Sequence, residues 1–261
     1  MMRLRVPIFL FTSLVTLWLL CFPIAVAEPI SFAVDVRPSI VKIDAFFKGA
    51  DIFVSADIPN CDGAVVKMEG RPTEISFSKK GKVAFIWMSV AELSVRNIPE
   101  IYLMAVSDEI SNFCSDEKCA ELRIGYTALK KNAVFESVKP LDGTEFDEFL
   151  KFKKEKGAYR IDREASISLS PLGKAKLSSI LHLPPTVSPG NYDIEVYCFQ
   201  SDTLIGTGKS KITIEMVGLP KLMTDLAFQQ PALHGIVAVI IAMIIGIIMG
   251  FIFSSRSGGA H

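Results

Sequence analysis

The chain predicts a mainly β protein: an immunoglobulin-like antiparallel β-sandwich with a helical insertion, held by one C-terminal transmembrane helix. Three observations carry this. First, residues 30–107 and 159–217 hold short runs that alternate apolar and polar residues, parted by Gly, Pro, Asn and Asp. That is the period-two pattern of half-buried strands. Second, Pro189-Gly190-Asn191-Tyr192 leads into a penultimate strand, and a hairpin then reaches the last one. Sandwiches use such a tyrosine at a corner, where its hydroxyl finds backbone. Third, residues 235–253 carry no charged and no strongly polar side chain. At about 1.5 Å per residue this run reaches about 28 Å, the thickness of a bilayer's hydrocarbon core.

The elements follow in order. Arg3 and Arg5 precede an uncharged run over 6–27, with Pro23 near its end and Ala25-Val26-Ala27 before Glu28. This is the layout of a secretory signal peptide, 1–27, with an uncleaved anchor as the alternative. The exported domain then covers 28–218. Its strand over 51–58 puts Ile52, Val54, Ala56 and Ile58 on one face, and residues 82–88 and 101–106 read as further strands. Turns fall at Lys48-Gly49, Pro59 to Gly63, Gly70-Arg71-Pro72 and Lys80-Gly81. A helical insertion over about 111–156 is rich in Glu, Lys, Ala and Leu. In it Phe146, Phe149, Leu150 and Phe152 stand near helical spacing, and Gly157 is placed to cap. Two helices, or one and a half, are expected there. Strands resume over 176–183, 192–198 and 211–216. A juxtamembrane linker, 219–234, has Leu222, Met223, Leu226, Ala227 and Phe228 along one side. It suits either a helix in the membrane interface or an ordinary packed linker. The helix over 235–253 stops transfer. The tail, 254–261, carries Arg256 on the cytoplasmic side, in line with the positive-inside bias.

Composition narrows the function. The exported part holds 28 acids against 25 bases, since Arg3, Arg5 and Arg256 lie outside it. Such a balance gives no basic stripe for nucleic acid. Cys61, Cys114, Cys119 and Cys198 are the disulfide candidates of an oxidising compartment. A loop between Cys114 and Cys119 would leave Cys61 with Cys198; four buried free thiols are the alternative. His182 stands in an alternating strand beside Leu181 and Leu183, where a satisfied structural histidine is expected. No histidine pair has zinc spacing. Gly173-Lys174-Ala175-Lys176 lacks the earlier glycine and the hydroxyl of a phosphate loop. Asp142, Glu145, Asp147 and Glu148 miss the calcium-loop pattern and suit a helix start. No nucleophile elbow is present. The chain is therefore expected to be no enzyme, to use no cofactor and no metal, and to have no catalytic residue. On the membrane helix Ala238, Ala242, Gly246 and Gly250 recur every four residues. This packing face would admit a membrane protein partner or a second copy.

Several phrases stand together in order. They are Phe47-Lys48-Gly49-Ala50-Asp51-Ile52-Phe53-Val54, Phe85-Ile86-Trp87-Met88, Ile98-Pro99-Glu100-Ile101-Tyr102 and Gly157-Ala158-Tyr159. Pro184-Pro185-Thr186-Val187-Ser188-Pro189-Gly190-Asn191-Tyr192, Val217-Gly218-Leu219 and Gln229-Gln230-Pro231 follow. In these the chain resembles the transmembrane protein family first described in alphaproteobacteria (Alph_Pro_TM), over nearly the whole mature chain. That family has a glycine before its Ile-Trp pair and an asparagine beyond it, where Phe85 and Ser89 stand here. The resemblance implies a single-pass protein of the bacterial inner membrane with its bulk in the periplasm. It brings no catalytic residues and points to a sulfite-exporter-like permease as partner. The expected function is a non-enzymatic interaction or accessory module; the alternative is an anchored solute-binding or sensor domain.

Overall fold

The structure is a computed structural model that describes residues 28–83, 85–137, 143–169 and 175–254. Residues 1–27, expected to be a signal peptide, tail residues 255–261, Asp142 and Gly173-Lys174 lie outside the described residues.

Thirteen strands are described. They are β1 (Ile30–Arg37), β2 (Ile40–Ile43), β3 (Ala50–Ile58), β4 (Gly63–Glu69), β5 (Pro72–Val83), β6 (Ile86–Pro99), β7 (Tyr102–Val106), β8 (Val134–Ser137), β9 (Tyr159–Asp162), β10 (Ala165–Leu169), β11 (Ala175–Leu183), β12 (Gly190–Gln200) and β13 (Thr203–Met216). The helices are α1 (Asp116–Glu121), α2 (Tyr126–Asn132), α3 (Glu145–Glu155), α4 (Gly218–Gln229) and α5 (Pro231–Ser254), with a 3₁₀ turn at Ile110–Asn112.

The main sheet runs β10-β11-β3-β1-β13-β12-β4-β7-β9, with β2 beside β13. Strand β1 joins its halves. Residues 30–33 pair in parallel with β13, and residues 34–37 pair antiparallel with β3. The halves bury their alternate residues in one core. Ile52, Val54, Leu177 and Leu181 from one meet Val66, Met68, Ile194, Val196, Ile212 and Ile214 from the other. The alternation read over 51–58 is thus burial: Ile52, Val54, Ala56 and Ile58 are all inside. Tyr192 turns the expected corner, buried, with its hydroxyl donating to Ser188 O at 2.8 Å. At Gly49 φ is +110°, and an added Cβ would stand 2.6 Å from Leu183 O, so only glycine fits.

Strands β4 and β7 are buried on both faces, because the insertion builds a second core on their outer side. Val65, Tyr102, Met104 and Phe199 pack there with Phe113, Ile124, Leu129, Phe146 and Phe149. Phe149 sits within 6 Å of both Phe77 and Tyr159 by ring centroid. Gly157, at φ +68°, ends α3 as expected.

Two readings need correction. The insertion is not purely helical: it holds three short helices and a strand, β8, which pairs with β6 in a separate sheet ordered β5-β6-β8. And residues 82–88 are not one strand. Val83 pairs with Ile86 across a two-residue turn, with Lys80-Gly81 inside β5. An apolar run with no Gly, Pro or Asn at the bend hides a hairpin, since turns of this kind normally advertise themselves with such residues.

Candidate functional site

Beyond Leu93 the β5–β6 ribbon loses its third strand, because β8 pairs with β6 only from Leu93 to Arg96. Six residue pairs, Ser78↔Glu92 outward to Val83↔Ile86, with one register irregularity at Lys79/Lys80, continue as a two-stranded ribbon. At about 3.3 Å per residue it extends roughly 20 Å past its last sheet neighbour. Its outer backbone edges are unpaired among the described residues. Such a ribbon is marginal in water unless something covers it.

The tip is apolar. Phe85 is 89% exposed, and Ile86 and Met88 are exposed beside it. Lys82 Nζ lies 5.7 Å from the centroid of the Phe85 ring. Phe85 has φ +73°. This is a left-handed conformation, which glycine or asparagine adopts cheaply and a bulky L-residue adopts at a cost of about 1–2 kcal/mol. The chain accepts both strain and an exposed ring at one position. Packing cannot explain that, since the ring is buried by nothing. Strain and exposed apolar surface together mark a contact site.

A second feature is an open cleft of about 740 Å³ between Lys48-Gly49-Ala50-Asp51, the Glu155-Lys156-Gly157 end of α3, Arg160, and His182 with Leu183-Pro184-Pro185. Three of the phrases quoted above meet in it. His182 Nδ1 lies 2.6 Å from Asp51 Oδ1, and its Nε2 lies 2.7 Å from Glu164 Oε2. A neutral imidazole has one N–H and could satisfy only one of these carboxylates. The Asp51 hydrogen bond is the largest cause that raises the His182 pKa; desolvation opposes it, and the Glu164 hydrogen bond and both carboxylate charges add to the rise. Arg160 Nε pairs with Asp162 at 2.5 Å. Of the four basic side chains that line the cleft, Lys48, Lys156, Arg160 and His182, the last two are thus paired inside the fold. His182 is the satisfied structural histidine that its strand position suggested.

A third feature is a buried polar cluster under the insertion. Lys67, only 3% exposed, reaches Glu195 at 3.1 Å and Glu69 at 3.4 Å, and donates to Leu122 O at 2.9 Å. Tyr102 OH donates to Arg123 O and accepts from Gly125 N, both at 2.8 Å. Arg123 lies 2.8 Å from Glu69 but is not aligned for a hydrogen bond, so that pair is Coulombic. Burial alone would raise the Glu195 carboxyl; Lys209, Tyr197 and Lys67 together pull it down to about 2. Apart from the Tyr197 hydroxyl, which donates to Glu195, the partners here are backbone or compensating charges. The cluster latches the α1–α2 loop to the sheet, and nothing in it faces a substrate. Composition gave no hint of it, because Lys67 reads as a solvent-facing strand residue until helices cover that face.

Cys114 and Cys119 form a disulfide at the start of α1. Cys61 and Cys198 are free thiols in hydrogen-bonding contact, Cys198 fully buried on β12. Ala238, Ala242, Gly246 and Gly250 all lie on α5. The structure separates them: Ala238 and Ala242 line a groove against α4, while a Cβ on Gly246 or Gly250 would meet nothing within 4 Å. Helix α5 is long and apolar enough to cross a membrane over Pro231–Phe253, with none of it buried by the rest of the chain. Among the described residues no cluster of His, Cys, Asp and Glu has metal-site geometry.

Compared with known proteins, residues 31–255 match the family model described as "Putative transmembrane protein (Alph_Pro_TM)". No curated protein matches the chain.

Proposed function

The chain belongs to the Alph_Pro_TM transmembrane family, and from that premise we propose that it is a single-pass inner-membrane protein whose periplasmic β-domain is a non-enzymatic accessory module for a membrane protein. The partner class suggested by the family resemblance is a permease. One observation carries the reading: the two-stranded ribbon ends in exposed Phe85, Ile86 and Met88, with Phe85 in a strained turn. An apolar tip carried on a narrow arm reaches a partner that shares the same membrane, and the anchor keeps the two close. The polar cluster stiffens the base of the insertion, so the arm projects from a fixed platform.

The test is site-specific photocrosslinking in native membranes. A benzophenone amino acid at Ile86 should give a discrete adduct with another membrane protein. The same group at Lys211, exposed on β13, should not. No adduct at Ile86, or the same diffuse adducts at both sites, would overturn the proposal. The anchored solute-binding alternative rests on the 740 Å³ cleft. It is disfavoured by the internal pairing of His182 and Arg160.

A further inference from the structure

We propose that α4 is an interfacial helix, lying along the bilayer surface with its apolar side in the acyl chains, so that lipid fills the crook between α4 and α5. The last hydrogen bond of the sheet is Val217 N to Ile43 O, at 2.8 Å. Gly218, at φ +68°, turns the chain directly into α4. A single residue, Gln230, separates the end of α4 from the start of α5. Twelve residues, about 18 Å of helix, therefore lie between the folded domain and the membrane span.

The composition of α4 is sided. At 100° per residue, Leu219, Leu222, Met223, Leu226 and Ala227 fall within one arc of about 140°, and Lys221, Thr224 and Asp225 fall opposite. Phe228 stands on the polar side, at the end next to the turn. None of α4 is buried, and Leu219, Leu222 and Met223 are exposed. The domain therefore does not cover the apolar arc. The arc looks instead into a groove of about 350 Å³, where Met223 and Leu226 face Val237, Ala238, Ile241 and Ala242 of α5, with His234 at the angle.

The geometry selects the occupant. The groove is shared: its far wall is the first three turns of the bilayer-spanning helix. Wherever those turns enter hydrocarbon, hydrocarbon also reaches the apolar side of α4. A helix lying flat at the top of a descending helix buries just the face that looks toward it. Lys221, Thr224 and Asp225 then point to water, and His234 sits at headgroup depth, where an amphipathic ring is at ease. Ala238 and Ala242 accordingly face lipid and α4, leaving Gly246 and Gly250 as the open half of the small-residue face.

The test uses the full chain in vesicles of phosphatidylcholine and phosphatidylglycerol, with Trp18→Phe and Trp87→Phe removing the native tryptophans. Single reporters are Leu222→Trp and Met223→Trp on the apolar side, Lys221→Trp on the polar side, and Ile240→Trp on the inserted helix. With acyl-brominated lipid, Leu222→Trp and Met223→Trp should lose most of their emission, nearly as Ile240→Trp does, and Lys221→Trp should keep most of its own. Two results would overturn the proposal while Ile240→Trp is quenched. In one, Leu222→Trp and Met223→Trp keep their emission, which places α4 off the bilayer. In the other, Lys221→Trp is quenched as strongly as they are, which places α4 upright within it. Neither result touches the Ile86 crosslinking.

Discussion

Replacing Phe85 by asparagine should make the ribbon tip harder to open while abolishing its contacts. Phe85 sits at φ +73°. For an ordinary L-residue this conformation costs about 1–2 kcal/mol, most of which asparagine avoids by bonding locally to backbone. Little is lost in exchange, because the ring is 89% exposed. The one contact removed is the Lys82 ammonium over the ring at 5.7 Å, an exposed cation–π pair of about 0.5 kcal/mol. The net gain is about 1 kcal/mol, or roughly a fivefold smaller population of the open tip. Global unfolding is a poor probe, since a two-stranded ribbon frays without the core. Amide hydrogen exchange over residues 78–92 in the detergent-solubilised chain reads the local opening directly. Exchange should slow about fivefold in Phe85→Asn, while crosslinking from Ile86 falls. If exchange is unchanged or faster, the turn is not strained and the case for Phe85 as a binding residue loses its main support.

Reporter fusions check the orientation: one after His261 should be active in the cytoplasm and one at Gly143 in the periplasm, and the reverse pattern refutes it. Non-reducing peptide mapping of chain isolated from its native compartment should find Cys114–Cys119 and a second bridge, Cys61–Cys198, whose thiols already touch; freely alkylated Cys61 and Cys198 in unfolded, unreduced protein would refute that second bridge. The His182 pKa is raised by Asp51 and Glu164, so its stabilisation is complete below the unfolded value near 6.5 and is lost as pH rises through the higher folded value. The urea midpoint should accordingly fall across that window and become flat there in His182→Gln, and an equally sloping variant would exclude His182 as the cause. Gly246→Ile and Gly250→Ile should weaken recovery of the partner, or self-association, without changing membrane insertion, whereas Ile244→Leu and Ile248→Leu should do little; glycine variants that associate normally would reduce α5 to an anchor.

The sequence by itself determined what depends on local period and on solvent. Nineteen uncharged residues in a row suit only hydrocarbon, so the membrane helix was legible at once, although the observed α5 begins four residues earlier, at Pro231. Strict alternation fixes which face of β3, β11 and β12 is buried, because a one-residue slip would turn every apolar side chain to water. Tyr192 was legible for the same local reason: its motif is contiguous. The candidate site was only half legible. The phrase Phe85-Ile86-Trp87-Met88 stood out, yet it read as part of a strand, since nothing in the residue types announces a bend at a phenylalanine. The positive φ that makes Phe85 informative exists only once Val83 pairs with Ile86. Tertiary structure alone decided the rest. Whether Lys67 faces water or a protein interior depends on helices that begin some fifty residues later in the chain. Whether Ala238 and Ala242 meet a partner or their own chain depends on the angle at which α4 meets α5. Both are questions of what covers a face, and a sequence pattern shows that a face needs covering without showing what comes to cover it.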